Sequence, residues 1–280
     1  MFRIRKKRVL TPVTVLFEVE APLVCRHAQP GQFVIVRLGE KSERIPLTIM
    51  EARDGVLSIV IQAVGKSTRE LIGLGEGDAL ADVVGPLGQP CPLRDSGTVA
   101  VVGGGFGVAP IIPIARALHD RGVHVIAING ARTAELLILE DELRAVSDRY
   151  LVSTNDGSKG VQGMVTDVLR QLIDQGEHLD EVIAIGPMVM MRAVAEVTRP
   201  HGIRTLVSLD PIMVDGTGMC GVCRVSVGGE TRFACVDGPI FDAHQVDFDL
   251  AVRRGHMYDS EQKVALEHYE KCRCHGGGEA

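Results

Sequence analysis

Three cysteines in a glycine-rich stretch constrain the fold of this chain more than any other feature. Cys220 and Cys223 form a C-x2-C pair in the run Asp215-Gly-Thr-Gly-Met-Cys-Gly-Val-Cys, and Cys235 follows after eleven further residues. Thiolates three positions apart in a tight turn can share one iron centre, and glycines let backbone amides approach the sulfurs. This stretch therefore predicts a metal-binding loop that returns through a short β-hairpin.

The spacing also indicates which kind of centre the loop would hold. Plant-type [2Fe–2S] loops have the spacing C-x4-C-x2-C…C, and in this chain Asp215 occupies the position of the first cysteine. Three thiolates and one carboxylate still supply four ligands. We therefore interpret Asp215, Cys220, Cys223 and Cys235 as the ligands of a [2Fe–2S] cluster.

Two other interpretations of the cysteines stay open. Structural zinc also uses C-x2-C pairs, and His244 lies nine residues beyond Cys235. The thiols could instead be ordinary buried side chains of an apolar hairpin. Neither alternative explains the density of glycines around the pair. A further motif, Cys272-Arg-Cys274-His275, could also bind metal, although frayed terminal residues are the commoner case.

Composition excludes several classes of function. The net charge of −6 argues against a nucleic-acid-binding protein. The longest apolar run, Val108 to Ala115, contains two prolines and is far too short to span a membrane. The basic N-terminus is followed by interrupting polar residues, so it does not resemble a signal peptide. Seven unevenly placed cysteines fit metal or redox use in a reducing compartment, which predicts a soluble, cytoplasmic protein.

The first 95 residues have the pattern of a small antiparallel barrel. Short segments of β-type alternation are separated by Gly and Pro turns, and they are Val9–Glu18, Phe33–Leu38, Leu57–Ala63 and Ala79–Val84. Two loops are candidates for ligand binding: residues 44–48 (Arg-Ile-Pro-Leu-Thr) and residues 65–68 (Gly-Lys-Ser-Thr). The second suits a pyrophosphate but equally suits an ordinary helix N-cap, and the first could be an ordinary strand end.

Residues 96–206 alternate between strand and helix, which predicts a parallel sheet covered on both faces. The buried strand Val99–Val102 leads into the glycine turn 103–110, and Ile111–His119 follows as a helix. Such a turn after a buried strand favours a dinucleotide, because its glycines and the helix N-terminus let amides reach a diphosphate. Glu135–Val146 is predicted as another helix. Arg132 is a candidate ribose or phosphate contact, or simply a solvated loop residue.

The predicted fold class is therefore β plus α/β, in four parts. These are a β-barrel over residues 1–95, a nucleotide-binding α/β domain over 96–206, a cluster hairpin domain over 207–250 and a tail over 251–280.

Taken together, these motifs resemble the ferredoxin–NADP reductase superfamily, in particular its branch with a C-terminal [2Fe–2S] domain. The chain looks closest to the small subunits of NADH-dependent ferredoxin:NADP oxidoreductases, because residues 44–48 and the set from Asp215 to Cys235 match them. Electron-transfer subunits of dihydroorotate dehydrogenase belong to the same branch but have cysteine where this chain has Asp215.

The resemblance implies cofactors and the residues that hold them. It implies that the barrel binds FAD, with the flavin and its pyrophosphate held by Arg44, Pro46, Leu47, Thr48, Gly65, Lys66, Ser67 and Thr68. It implies that NAD(H) or NADP(H) is held by Gly103, Gly104, Gly105, Gly107, Val108, Ala109, Pro110, Arg132, Gly186, Pro187 and Met188. Two departures from the family pattern stand out: no tyrosine precedes Thr48 to stack on the flavin, and Ile185 replaces the usual cysteine.

The resemblance also implies an activity and a partner. The expected reaction is hydride transfer between a nicotinamide and FAD, followed by single-electron passage through the cluster; no catalytic acid or base is needed. The expected partner is a larger flavin and [4Fe–4S] subunit, and the complex would couple NADH, NADP and ferredoxin by electron bifurcation. The alternatives are a dihydroorotate dehydrogenase electron-transfer subunit and, from another class, a non-catalytic zinc-bearing assembly module.

Overall fold

The computed structural model describes residues 1–40 and 42–274, and of residues 272–274 the backbone only. The first part is an antiparallel sheet that curves into a near-barrel in the strand order β6-β1-β2-β5-β4-β3-β7. Its strands are β1 (Phe2–Thr11), β2 (Thr14–Glu20), β3 (Phe33–Arg37), β4 (Ile45–Arg53), β5 (Val56–Gln62), β6 (Ala79–Leu80) and β7 (Asp82–Leu87). Its helices are α1 (Pro22–Cys25) and α2 (Lys66–Gly73).

The prediction of one strand over 9–18 is wrong. The chain turns between Thr11 and Thr14, so the segment is the hairpin of β1 and β2. Pro12 lies in this turn and has no amide hydrogen to donate to a sheet. Alternating side chains such as Phe17 and Ile59 are fully buried inside the barrel.

The second part is a parallel sheet with helices on both faces. Its strands are β8 (Thr98–Gly104), β9 (His124–Ala131), β10 (Arg149–Thr154), β11 (Val161–Gln162), β12 (Glu181–Ile185) and β13 (Arg204–Ser208). Its helices are α3 (Val108–His119), α4 (Glu140–Arg144), α5 (Val165–Asp174) and α6 (Met188–Thr198). The order β11-β10-β9-β8-β12-β13 reverses direction between β8 and β12. In such sheets the ligand crevice lies at that reversal, outside the carboxyl ends of the strands.

The predicted helix over 135–146 is also wrong in extent. The chain forms one 3₁₀ turn at Ala134–Leu136 and then the short α4. Between them Ile138 and Leu139 are buried, and Leu139 has the left-handed φ of 52°. Burial of these two side chains in this conformation interrupts the helix.

The last part joins both sheets. Its elements are the hairpin β14 (Arg224–Val227) and β15 (Glu230–Phe233), the strand β16 (Ile240–Asp242), and the helices α7 (Phe248–Gly255) and α8 (Asp259–Cys274). Strand β16 extends the parallel sheet as an antiparallel edge beside β13. The amide of Gln89 donates to the Gly238 carbonyl at 2.6 Å, which attaches the same segment to the barrel. No helix in the described part of the chain is long and apolar enough to cross a membrane.

Candidate functional site

A cleft of about 830 Å³ separates the barrel from the carboxyl edge of the parallel sheet. Barrel residues form one wall, and they include Phe33, Pro46, Thr48 and Gln62. The strand ends and turns of the sheet form the opposite wall, where the predicted residues are Gly104, Gly105, Gly107, Pro110, Arg132, Gly186 and Pro187. The reversal of strand order lies at the centre of this wall.

The turn after β8 is packed too closely for side chains. A Cβ atom on Gly107 would overlap the carbonyl of Ile185 and lie 2.8 Å from the Cα of Gly186. Gly104 in turn lies against the side chain of Met190. Glycine at these positions lets the turn and the start of α3 approach the end of β12, as close dinucleotide binding requires.

Most of the other residues predicted for the nucleotide also lie at this wall. Val108 and Ala109 are buried beneath the turn, at the start of α3. Arg132 is exposed on the loop that follows β9. Met188 packs against the core beside the cleft, whereas its neighbours Val189 and Met190 line it. Sequence reasoning missed these last two.

The predicted flavin residues divide between the two faces of β4. Pro46 and Thr48 face the cleft, while the Leu47 side chain is buried in the barrel core. This alternation follows from strand geometry, so Leu47 can reach a ligand in the cleft only through its backbone. Arg44 precedes the strand, is exposed, and lies near enough to Asp215 to help lower the pKa of that carboxyl.

Residues 65–68 lie apart from the cleft lining, at the start of α2. The Thr68 hydroxyl accepts hydrogen bonds from the amides of Val64 and Gly65, at 2.9 and 3.0 Å, and so caps the helix. The Ser67 hydroxyl donates to the carboxylate of Glu43. Lys66 faces a separate open groove, of about 690 Å³, against α8. The helix-cap interpretation is thus observed, and a pyrophosphate role for these residues remains a prediction.

Two of the three predicted cysteine ligands are buried side by side. The sulfurs of Cys223 and Cys235 lie 3.2 Å apart, and both cysteines are free thiols. Cys220 is also free and is exposed on the loop before them. Burial, followed by the neighbouring Cys223, raises the pKa of the Cys235 thiol.

The backbone of the glycine-rich loop favours the thiolate forms of Cys220 and Cys235. Hydrogen bonds from the backbone of Val222 and then of Asp215 lower the pKa of the Cys220 thiol. The backbone of Gly218 likewise favours the thiolate of Cys235. The Asp215 carboxylate accepts hydrogen bonds from the amide of Thr217 at 3.0 Å and from its hydroxyl, which lower its pKa. Three thiols and one carboxylate, in a loop whose backbone favours the thiolates, are a donor set of the kind that fits an iron–sulfur cluster.

A single-ion site is less well supported. Across residues 1–40 and 42–274, no three His, Cys, Asp or Glu side chains converge to hold one metal ion. His244, the candidate zinc ligand, instead contacts the Thr198 hydroxyl at 3.0 Å. The lack of convergence among the described residues covers Asp215 and the three cysteines as well, so it does not choose between zinc and a cluster. Only the contact of His244 with Thr198 counts against zinc, because it keeps this histidine from serving as a fourth ligand beside the cysteines. The side chains of Cys272 and Cys274, and all of His275, lie outside the described residues.

The sequence analysis also missed the segment that links the sheet to the cluster loop. Ser208, Leu209, Asp210 and Met213 line the cleft just beyond β13. The Asp210 side chain is exposed to solvent in the cleft, yet the crowded cleft walls partly desolvate its carboxyl and raise its pKa to about 6. Recognising β13 as a strand would have placed this segment at the carboxyl edge of the sheet, but no glycine turn follows it to attract attention.

Comparison with known proteins agrees with this architecture. Residues 101–196 match the family model "Oxidoreductase NAD-binding domain", and residues 210–247 match "Iron-sulfur cluster binding domain of dihydroorotate dehydrogenase B". A relative from Thermotoga maritima, called a dihydroorotate dehydrogenase B (NAD(+)) electron transfer subunit homolog, is 46% identical over 91% of this chain and 90% of its own length. The electron transfer subunit of that enzyme from Geobacillus thermodenitrificans is 36% identical over 86% of this chain and 95% of its own length.

A solved structure is similar over nearly the whole chain. It comes from a study of flavin-based electron bifurcation by an NADH-dependent reduced ferredoxin–NADP oxidoreductase. Its TM-score is 0.90 at 44% identity, and the alignment covers 96% of this chain and 98% of that one. The fold and the donor set thus define a ferredoxin reductase-like oxidoreductase with FAD, a nicotinamide dinucleotide and a [2Fe–2S] cluster. The chain belongs to the family of dihydroorotate dehydrogenase B-type electron-transfer subunits.

Proposed function

We propose that this chain is the electron-transfer subunit of an NADH-dependent ferredoxin:NADP oxidoreductase. In this role it exchanges a hydride between NAD(H) and FAD and passes single electrons through its cluster to a larger flavin and [4Fe–4S] partner. The 44% identity to a chain of the electron-bifurcating oxidoreductase, over nearly the full length of both, supports this role. Asp215 at the proposed first ligand position also favours this assignment, because the resemblance implies cysteine there in the dihydroorotate-linked subunits.

The observation that carries the proposal is the packing of the cluster loop onto the barrel. Gly216 has the positive φ of 84°, and a Cβ there would lie 2.6 Å from Ile35 and 2.9 Å from Leu87. Phe33 and Ile35 share one buried core with Cys223 and Cys235. The cysteine loop thus packs on the barrel through Gly216, and its cysteines belong to the same core as Phe33, which lines the cleft; this packing supports a relay from a flavin to a cluster.

The proposed site residues follow from this arrangement. Pro46 and Thr48 would align the flavin ring against the cleft, with the Leu47 backbone and Arg44 at its edge, and residues 65–68 would hold its pyrophosphate. The turn 103–110 would bind the dinucleotide diphosphate, with Arg132 toward the ribose and residues 186–188 toward the nicotinamide. Bound FAD would supply the two-electron acceptor; the residues themselves bind and align the rings and exclude water.

The proposed cluster ligands are Asp215, Cys220, Cys223 and Cys235. Exposure of Cys220 and the neighbouring Met219 would leave one side of the loop accessible to the partner subunit. In the proposed complex, ferredoxin and NADP react at the larger subunit, where electron bifurcation takes place. The five free thiols among the described cysteines suit a reducing compartment, and we propose a cytoplasmic location.

A second candidate is the electron-transfer subunit of a dihydroorotate dehydrogenase, which the names of the T. maritima and G. thermodenitrificans relatives favour. Anaerobic affinity purification of the tagged chain from its native host separates the two. A flavin and iron–sulfur partner, with NADPH oxidation that requires both NAD⁺ and ferredoxin, would support the proposal. A partner that converts dihydroorotate to orotate would replace it with the second candidate.

A further inference from the structure

Along its described lining the cleft has two charged side chains, and the expected hydride transfer does not require either of them as an acid or base. Among the described residues that line it, only Arg132 and Asp210 are charged. Arg132 follows β9 and Asp210 follows β13, and the sheet order β9-β8-β12-β13 separates them by three strand spacings, roughly 14 Å. The cleft therefore has a positive end and a negative end.

Asp210 lies at the β13 end of the cleft, which the segment after that strand lines. Because Ala184 pairs with Val207, Ser208 lies level with the end of β12, and Asp210 extends beyond it next to the turn at Gly186 and Pro187. The Leu209 amide donates to the Pro239 carbonyl at 2.9 Å and fixes this segment. Leu209 belongs to the same buried core as Phe33 of the barrel, and both residues line the cleft.

The Asp210 carboxyl does not neutralise a positive charge among the described residues of the protein. Within residues 1–40 and 42–274 Asp210 forms no ion pair, although it is accessible from the cleft. The pKa of this carboxyl is raised because the cleft walls displace water from around it, and no neighbouring charged side chain contributes to the shift. Arg132 lies at the far end of the cleft, and Arg44 and Asp215 belong to the cluster side. An unpaired, partly desolvated carboxylate costs free energy that a cationic ligand would offset.

A nicotinamide dinucleotide has a matching charge pattern. Its diphosphate is anionic, while its nicotinamide ring is uncharged in NADH and carries one positive charge in NAD⁺. When a hydride leaves C4 of the dihydronicotinamide, its two electrons and proton pass to the flavin and the ring becomes cationic. A carboxylate near the ring stabilises that product and the charge that develops on the way to it.

We propose that Asp210 is the counter-charge for the nicotinamide ring, and that it favours NAD⁺ over NADH in this cleft. This inference rests on the proposed function, because it requires that the nicotinamide half lies between Gly186 and the barrel. If so, Asp210 shifts the equilibrium of hydride transfer toward oxidation of NADH. Arg132 at the positive end would meet the anionic half of the same ligand.

The test compares the affinity of the oxidised holoprotein for two ligands that do not react with it. These are NAD⁺ and 1,4,5,6-tetrahydro-NAD, whose ring is uncharged and donates no hydride. In the isosteric variant Asp210→Asn we expect the Kd for NAD⁺ to rise about tenfold, equivalent to ~1.4 kcal/mol. We expect the Kd for the tetrahydro analogue to change less than about twofold, because an uncharged ring gains little from a carboxylate. The control Asp174→Asn removes the same charge from an exposed helix end outside the cleft and should change neither value.

The pH dependence supplies a second measurement. In the wild type, the preference for NAD⁺ over the analogue should fall as pH drops from 8 to 5, since the Asp210 pKa is about 6. The preference of Asp210→Asn should stay flat, and Asp210→Glu should restore the slope. Equal changes for both ligands, or none, in Asp210→Asn would overturn the inference while leaving the proposed function intact. A wild type that binds neither ligand would overturn both.

Discussion

Substituting Gly107 with alanine tests whether the nucleotide cleft depends on the close packing of its first turn. The new Cβ would lie 2.8 Å from the Gly186 Cα, 2.5 Å from the Ile185 carbonyl carbon and closer still to that carbonyl oxygen. Carbon atoms prefer separations of about 3.5 Å or more, so the turn must retreat from the end of β12 by about 1 Å. Both partners are backbone, so the clash cannot be relieved by a side-chain rotation.

The size of the effect follows from this displacement. Overpacking of this kind costs about 1–3 kcal/mol of stability. A misplacement of about 1 Å between reacting groups can cost on the order of 100-fold in rate. We therefore expect Gly107→Ala to lower the rate of NADH-linked ferricyanide reduction by about 30- to 100-fold while the protein keeps its flavin and iron.

The matched control is Gly73→Ala at the end of α2, where a Cβ would meet nothing within 4 Å. It should keep the full rate and be neutral or slightly stabilising, because alanine favours a helix over glycine by up to about 1 kcal/mol. A Gly107→Ala protein with the wild-type NADH rate and unchanged melting temperature would refute the argument that this turn requires glycine.

Three further predictions concern the cluster loop and Asp210. Gly216→Ala, which introduces a side chain at φ 84° and 2.6 Å from Ile35, should destabilise the loop by about 1–2 kcal/mol and reduce the iron and sulfide retained per chain, with flavin content unchanged. Asp215→Cys should shift the cluster potential and its visible spectrum; if both stay as in the wild type, Asp215 is not a ligand. Because partial desolvation raises the Asp210 pKa from 3.8 to about 6, its ionised form destabilises the folded state above pH 6, and the cost vanishes below pH 3.8. Because solvent reaches this exposed carboxyl through the cleft and screens most of the cost, Asp210→Asn should raise the melting temperature at pH 8 only slightly, by at most about 1 °C, with a gain that shrinks toward pH 5, and a constant gain would contradict this assignment.

Features encoded in short segments were predictable from the sequence. Within the twelve residues 99–110 the sequence has a buried strand, a glycine turn and the start of a helix, and the structure has the same arrangement. The glycine-rich cysteine loop likewise carries its own chemistry, and Cys223 and Cys235 do meet although a hairpin separates them. Local geometry determines such elements, so their residue types are informative.

Features that depend on tertiary packing were not predictable. Asp210 gains its meaning only when β13 places it at the sheet edge and the barrel closes the cleft beside it. The hairpin turn within residues 9–18 is an exception, because Pro12 interrupts the alternating pattern and was a readable signal of it. The helix predicted over 135–146 fails because burial of Ile138 outweighs its local helix propensity.

An anaerobic titration of the purified chain with NADH, followed together by visible absorption and electron paramagnetic resonance, tests the central claim most directly. The account predicts about two irons and two sulfides per chain, bleaching of the flavin bands, and the signal of a reduced [2Fe–2S] cluster from the same addition of NADH. Flavin that bleaches while an intact cluster stays oxidised would contradict a relay from the cleft to the cysteine loop. Zinc without sulfide would contradict the cluster itself.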